Sequence, residues 1–299
     1  MTGDDGQKGS LILAPLRGVT IRCFRETFAG LLAEAGFAEA VTPFITALPG
    51  VDPIADRELR GALPSGGLRL TPQFIGKDPA ALRSCLLRVK DAGYLTADLN
   101  CGCPFPMVRN KGRGSGLLRT PDILQRMIEV GCETMGPGRF SLKARVGVER
   151  NDELLNLLPM LNRFPLRHIA VHARTAVQMY DGECDRAMLA LIMRESKVPV
   201  VENGDLPLPV DGDVKGRRIM IGRAFIRSIG EREDSGEWLV RYFEASRREL
   251  CGDRPVLGRM KELVSYWKDI PFWRRRWNVI KICRTAAEFA SVCGVSSVG

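Results

Sequence analysis

The sequence contains no Cys-X-X-Cys pair and only two histidines, His168 and His172. The ligand spacing of a zinc site is therefore missing, and no metal is expected. Nine cysteines, an odd number, are scattered from Cys23 to Cys293, unlike the paired framework of a small secreted domain. No apolar stretch approaches the ~20 residues that a membrane span needs. The first ten residues are polar, without the basic-then-apolar layout of a secretory signal. These absences lead to the expectation of a cytoplasmic protein without membrane contact, and a monomer is expected. At 299 residues the chain has room for one large domain and a small one beside it.

What is present begins with charge. The formal net charge is +9, and residues 241–299 alone carry twelve Lys/Arg against six Asp/Glu. Such a local excess suits a polyanion such as nucleic acid, or simply a solvated basic face. In the same region Trp267, Trp273 and Trp277 are interleaved with Lys268, Arg274, Arg275 and Arg276. Arginine beside aromatics suits RNA, through phosphate contact and stacking. The other reading has the tryptophans packed inside and the arginines outside.

Short β-branched and apolar runs recur at 11–14, 38–42, 70–74, 96–99, 140–144, 168–171, 198–201 and 218–221. Helix-compatible segments such as 79–92 and 121–135 separate most of them. Eight strands alternating with helices predict a parallel sheet closed into a (β/α)8 TIM barrel. After residue 235 the rhythm changes. Segments 238–250, 256–267 and about 273–289 read as three amphipathic helices. The expected organisation is a barrel domain over 1–235 and a small C-terminal helical domain over 236–299. The connection between strands seven and eight, with Pro207, Pro209, Gly212 and Gly216, is predicted to lack a full helix.

Nearly every predicted strand ends in glycine, proline or a functional polar residue. In this fold the active site lies at those C-terminal ends. Closure would therefore gather Gln73, Asn100, Cys103, Lys143, Arg145, His172, Asn203 and Arg223 at one mouth. Asn203-Gly204-Asp205 and Gly222-Arg223 end strands seven and eight, where barrels often bind phosphate. Glycine there lets backbone N–H groups approach an anion, and arginine adds a planar charged partner. Cys101 and Cys103 flank Gly102. Two sulfurs without nearby histidines make a poor metal site, and a disulfide between them would be badly strained. A buried free cysteine is the plain reading for either. Strand alternation points Cys101 into the wall and lets Cys103 reach the mouth, where an ordinary thiol is mostly protonated at neutral pH. The glycine-rich basic segment 112–118 reads as a lid, a nucleic-acid contact or a plain connector.

Taken together, these pieces resemble the tRNA-dihydrouridine synthases along nearly the whole chain. The resemblance rests on Leu13-Ala14-Pro15-Leu16, Asp98-Leu99-Asn100-Cys101-Gly102-Cys103-Pro104, Gly112, Gly114 and Gly116, Lys143-Ala144-Arg145, His172-Ala173-Arg174-Thr175, Asn203-Gly204-Asp205 and Ile221-Gly222-Arg223. It implies an FMN-containing barrel followed by a tRNA-binding helical domain, with NADPH as the electron source. It implies that Pro15, Leu16, Arg17, Gln73, Lys143, His172, Asn203, Gly204, Asp205, Gly222 and Arg223 surround FMN. Asn100 and Arg145 would hold the uracil. Reduced FMN would deliver hydride to C6, and Cys103 would protonate C5. The C-terminal segment is most similar to the bacterial group that acts on position 16 of tRNA. Arg17, Pro43 and Ala224 stand where members of that group commonly have other residue types. Two rival readings are an FMN-barrel oxidoreductase for a small pyrimidine-like substrate and a non-catalytic tRNA-binding paralogue. The first would not need the basic tail, and the second would not need Cys103 and Lys143.

Overall fold

The computed structural model describes residues 10–59, 68–208 and 217–294. Ten strands form one sheet, and every recorded pairing is parallel. They are β1 (Ser10–Leu13), β2 (Phe37–Val41), β3 (Ile45–Thr46), β4 (Arg69–Thr71), β5 (Gln73–Ile75), β6 (Ala97–Cys101), β7 (Phe140–Gly147), β8 (Ile169–Thr175), β9 (Val200–Asn203) and β10 (Arg218–Ile221). All eight predicted runs are present. The count is ten because two barrel strands are interrupted. Pro72 separates β4 from β5 and has no N–H to give. Its carbonyl still accepts from Asp98 N at 2.9 Å, and the Thr42 hydroxyl accepts from Gln73 N at 3.0 Å. Pairing thus continues across the break, from β2 with β4 to β3 with β5. Because β2 and β3 are parts of one barrel strand, and β4 and β5 of the next, these pairings join the two ends of the strand order and the sheet closes on itself.

The barrel helices are α1 (Arg22–Thr27), α2 (Ala29–Glu34), α3 (Pro79–Asp91), α4 (Pro106–Arg109), α5 (Pro121–Met135), α6 (Glu153–Leu161), α7 (Arg186–Glu195) and α8 (Arg223–Glu231). The predicted absence of a helix before β10 falls on residues 209–216, which lie outside the described residues. Two apolar clusters result. The larger packs the sheet's outer face against the helices. The smaller, Ile12, Ala14, Val41, Ala170, Val201 and Met220, fills the barrel's interior. At the end of the barrel where the strands begin, Glu39 is bound by Arg167 at 2.5 and 2.7 Å and by Thr71 at 3.0 Å. Burial pushes its carboxyl up, but the arginine contacts outweigh this and hold its pKa at about 2.

The C-terminal region forms α9 (Ser235–Glu249), α10 (Asp253–Ser265), α11 (Pro271–Ile280) and α12 (Ala286–Cys293). The third predicted helix is therefore two. Lys261 Nζ satisfies the carbonyls of Lys281 and Cys283 at 3.0 and 2.6 Å, and the Thr285 hydroxyl caps α12 by accepting from Glu288 N at 3.1 Å. These helices share the larger core with the barrel. Tyr242 and Trp238 of α9 pack on Phe24 and Phe28. Trp267 donates its indole N–H to Ile226 O at 2.7 Å, and Trp273 donates to Gly230 O at 3.1 Å. Glu262, Ser265, Tyr266, Lys268 and Asp269 reach the cavity at the end where the barrel strands finish. Among the described residues no helix is long and apolar enough to cross a membrane.

The α8–Trp267 contact depends on a missing side chain. A Cβ at Gly230 would lie 2.4 Å from the Trp267 ring. Gly230→Ala should lower stability by about 1–3 kcal/mol, read as an earlier denaturant midpoint with an unchanged slope. An unaltered midpoint would mean the two surfaces are not in contact.

Candidate active site

The strand ends surround a cavity of about 810 Å³. It is lined by thirteen of the fourteen residues singled out in the sequence: Pro15, Leu16, Arg17, Asn100, Cys103, Lys143, Arg145, His172, Asn203, Gly204, Asp205, Gly222 and Arg223. The exception is Gln73. It is fully buried, and its amide is engaged by Asp98 at 2.7 Å and Asn100 at 2.8 Å, so it supports the wall instead of lining it. Its position follows from the break at Pro72, which begins β5 with an inward-facing residue. Pro43 and Ala224, noted as departures from the bacterial group, also line the cavity.

One wall is the loop after β6. Asn100 Oδ1 accepts from Gly102 N at 3.1 Å and Cys103 N at 2.8 Å, curling the chain so that Cys103 enters the cavity. Cys101 points away into the sheet–helix core. Segment 112–118 packs against the cysteine loop. Residues Gly114 to Leu118 are buried, and Ser115 donates from N and Oγ to Cys103 O at 3.2 and 2.8 Å. Gly114 has φ +58°, and a Cβ there would sit 2.8 Å from that of Cys103. Burial raises the Cys103 thiol's pKa. The Phe105 backbone and the positive charges of Arg17, Arg145 and Lys143 offset part of that rise.

Cations crowd the next strands. Burial, then Arg145, brings the Lys143 ammonium down to about 8, and Lys143 donates to Asn203 Oδ1 at 2.9 Å. Arg145 is 2% exposed. It donates from Nε to Gly102 O at 3.0 Å and from Nη1 to Thr175 O and Met179 O at 2.7 and 2.6 Å. It therefore clamps two loops, beyond the substrate contact expected of it. Between these cations, burial and then the charges of Lys143, Arg145, Arg174 and Arg223 keep His172 neutral, and its Nδ1 is buried without a partner.

The last two strands end as an anion cradle. Gly204 has φ +109°, and a Cβ there would meet Cys184 Sγ at 2.9 Å. At Gly222 a Cβ would approach Ala14 and Leu16 at 3.1 Å. Gly222 is the N-cap of α8, whose first turn leaves N–H groups without partners inside the helix. Asp205 pairs with both Arg174 and Arg223, and together they outweigh burial and lower its pKa. Tyr180 has no local sequence signal. It lies under the guanidinium groups of Arg145 and Arg223, 5.4 and 4.8 Å from its ring centre. Among the described residues no group of three or more His, Cys, Asp or Glu is arranged to hold a metal ion.

A raised thiol pKa means less thiolate at any given pH. Alkylation of Cys103 by iodoacetamide, followed by peptide mass mapping, should be slow at pH 7 and still rising at pH 9. A plateau below pH 8 would contradict a neutral thiol.

The tRNA-dihydrouridine synthase B of Vibrio cholerae is 29% identical over 204 residues, covering 68% of this chain and 62% of that one. The enzyme of the same name from Proteus vulgaris is 29% identical over 247 residues, covering 78% and 74%. The chain thus spans less than two thirds of the Vibrio protein's length. Among solved structures, an old yellow enzyme homologue from Zymomonas mobilis superposes with a TM-score of 0.52 over 73% of this chain and 85% of its own. At 13% identity that likeness is one of fold. Residues 12–226 match the family described as Dihydrouridine synthase (Dus), from β1 to the first turn of α8, and the chain belongs to that family.

Proposed function

We propose that this cavity holds FMN and that the chain reduces the C5–C6 bond of a uridine in tRNA, with NADPH as the electron source. The observation that carries this reading is the neutral, cavity-facing thiol of Cys103 sharing one mouth with buried cations and a glycine-built anion cradle.

The residues present fit FMN. Gly204, Gly222, Arg223 and the N-terminus of α8 suit its phosphate. Lys143 and the unpartnered Nδ1 of His172 suit the polar edge of its ring, while Pro15, Leu16 and Met220 supply apolar wall. Bound there, FMN supplies the hydride for pyrimidine C6. Cys103 holds a proton on Sγ at neutral pH and releases it to C5. Asn100 and Arg145 line the same cavity and offer N–H donors to the base's carbonyl oxygens.

The tRNA side has its own support. Lys77, Arg109, Lys111 and Arg113 form no ion pair among the described residues, and Lys77 lies against Gly112 beside the cysteine loop. Phe105 and Met107 on the same segment are 45% and 72% exposed. Cations with exposed apolar groups suit a strand whose base has left its stack. The helices after residue 235 add Arg274 and Arg275, exposed on α11 near Phe272. Position 16 is the proposed target uridine.

Cys103→Ala should keep its flavin yet lose ~10²- to 10⁴-fold in product formation, measured as dihydrouridine in tRNA by mass spectrometry. Full activity in that variant would refute the thiol's role. Replacing Lys111 and Arg113 by Glu should weaken tRNA binding and flatten its salt dependence by about one unit of slope for each phosphate no longer neutralised, read by filter binding across a salt series.

A further inference from the structure

A chain of hydrogen bonds with a fixed direction runs from the barrel's interior to the cysteine loop. Asp98 on β6 is fully buried and accepts from Ser141 Oγ and from Gln73 Nε2, each at 2.7 Å. Gln73 Oε1 accepts from Asn100 Nδ2 at 2.8 Å. Asn100 Oδ1 accepts from Gly102 N at 3.1 Å and Cys103 N at 2.8 Å. A backbone N–H only donates, and an ionised carboxylate only accepts. Burial raises the Asp98 carboxyl to about 6, with the hydrogen bonds from Ser141 and Gln73 pulling it back, so above that pH both ends of the chain are committed. Two amides between such ends fit in one orientation. Reversing either one sets donor against donor or acceptor against acceptor. Asn100 lines the cavity, and its second Nδ2 hydrogen is left over.

We propose that Asp98 is a positioning residue: through Gln73, and together with the N–H groups of Gly102 and Cys103, it holds the Asn100 amide so that it shows the substrate an N–H donor, never an acceptor. This rests on the reading of the cavity as a uridine-reducing site and adds a basis for its choice of base. A uracil ring carries an oxygen at C4 where cytosine carries an amino group. Lys143 and Arg145, also donors, line the same cavity. A donor facing position 4 of the ring pairs with the uracil oxygen and meets the cytosine amino group donor to donor. Sites that use buried polar groups in this way discriminate far more strongly than apolar pockets do.

The direction of the relay makes it testable by inversion. Asp98→Asn replaces the fixed acceptor facing Gln73 by an amide that can turn either way, because Ser141 Oγ can donate to its oxygen or accept from its NH2. Gln73→Glu sets a second carboxylate against Asp98. In the double variant the carboxylate stands at position 73 and the amide at position 98, so donors and acceptors alternate again with one negative charge retained. Two quantities are read: reoxidation of pre-reduced enzyme by tRNA, and competition for binding by a transcript with cytidine in place of the target uridine. Each single variant should slow reoxidation ~10- to 100-fold, the loss expected of a hydrogen bond to a charged group, and should bring the cytidine and uridine transcripts toward equal competition. The double variant should recover both properties to within about threefold. If a single variant fails to fold, a folded double variant that separates the two transcripts still supports the relay. A folded double variant that is slow, or that does not separate them, overturns it, as do single variants that behave like the parent. Failure of the broader reading looks different, because the parent enzyme would then show no reoxidation by tRNA at all.

Discussion

Arg145 is the contact on which the site most depends. A guanidinium buried beside Lys143 is costly, and burial, its largest influence, brings its pKa down to about 10. Its position is held because Gly102, Thr175 and Met179 present carbonyls that it alone satisfies together. The cysteine loop and the loop after β8 are thereby tied across two neighbouring strands. Removing Arg145 would free both loops and leave three carbonyls, that of Thr175 buried, to find other donors.

The same crowding explains the protonation states. Four cations at one mouth disfavour any further positive charge, so His172 stays neutral. Arg145 and Lys143, with Arg17, also draw the Cys103 thiol part of the way back from the effect of burial. Asp205 is the acid that Arg174 and Arg223 share at this end. Electrostatics here are set less by one pair than by an excess of donors over acceptors. A ligand rich in phosphate and carbonyl oxygens is the natural complement.

The barrel and most of its mouth were legible because period and punctuation agree: apolar runs ending in glycine or a functional polar residue recur eight times. Thirteen candidate residues meet at one cavity for that reason. Gln73 shows the limit of such reading. Strand alternation gives the face on which a side chain lies but not its depth, and the break at Pro72 sets that depth. Asp98 carried a usable signal, since a carboxylate inside an apolar strand requires donors around it. Tyr180 carried none, because its place follows from a loop that Arg145 and Arg174 hold by backbone carbonyls. The helices after residue 235 were visible as helices, but their approach to the cavity was not. That depends on Trp267 finding a bare Gly230 in a different part of the chain.

That last contact has a mechanical consequence. Helix α8 begins at Gly222 in the anion cradle and ends under Trp267 and Trp273. Its nine residues span about 13 Å at 1.5 Å per residue, too short and too tightly packed to bend. A load placed on the C-terminal helices is therefore borne by a strut whose far tip is the cradle itself. The C-terminal helices and the residues of the cradle, Gly222 and Arg223, are thus joined through one helix of nine residues.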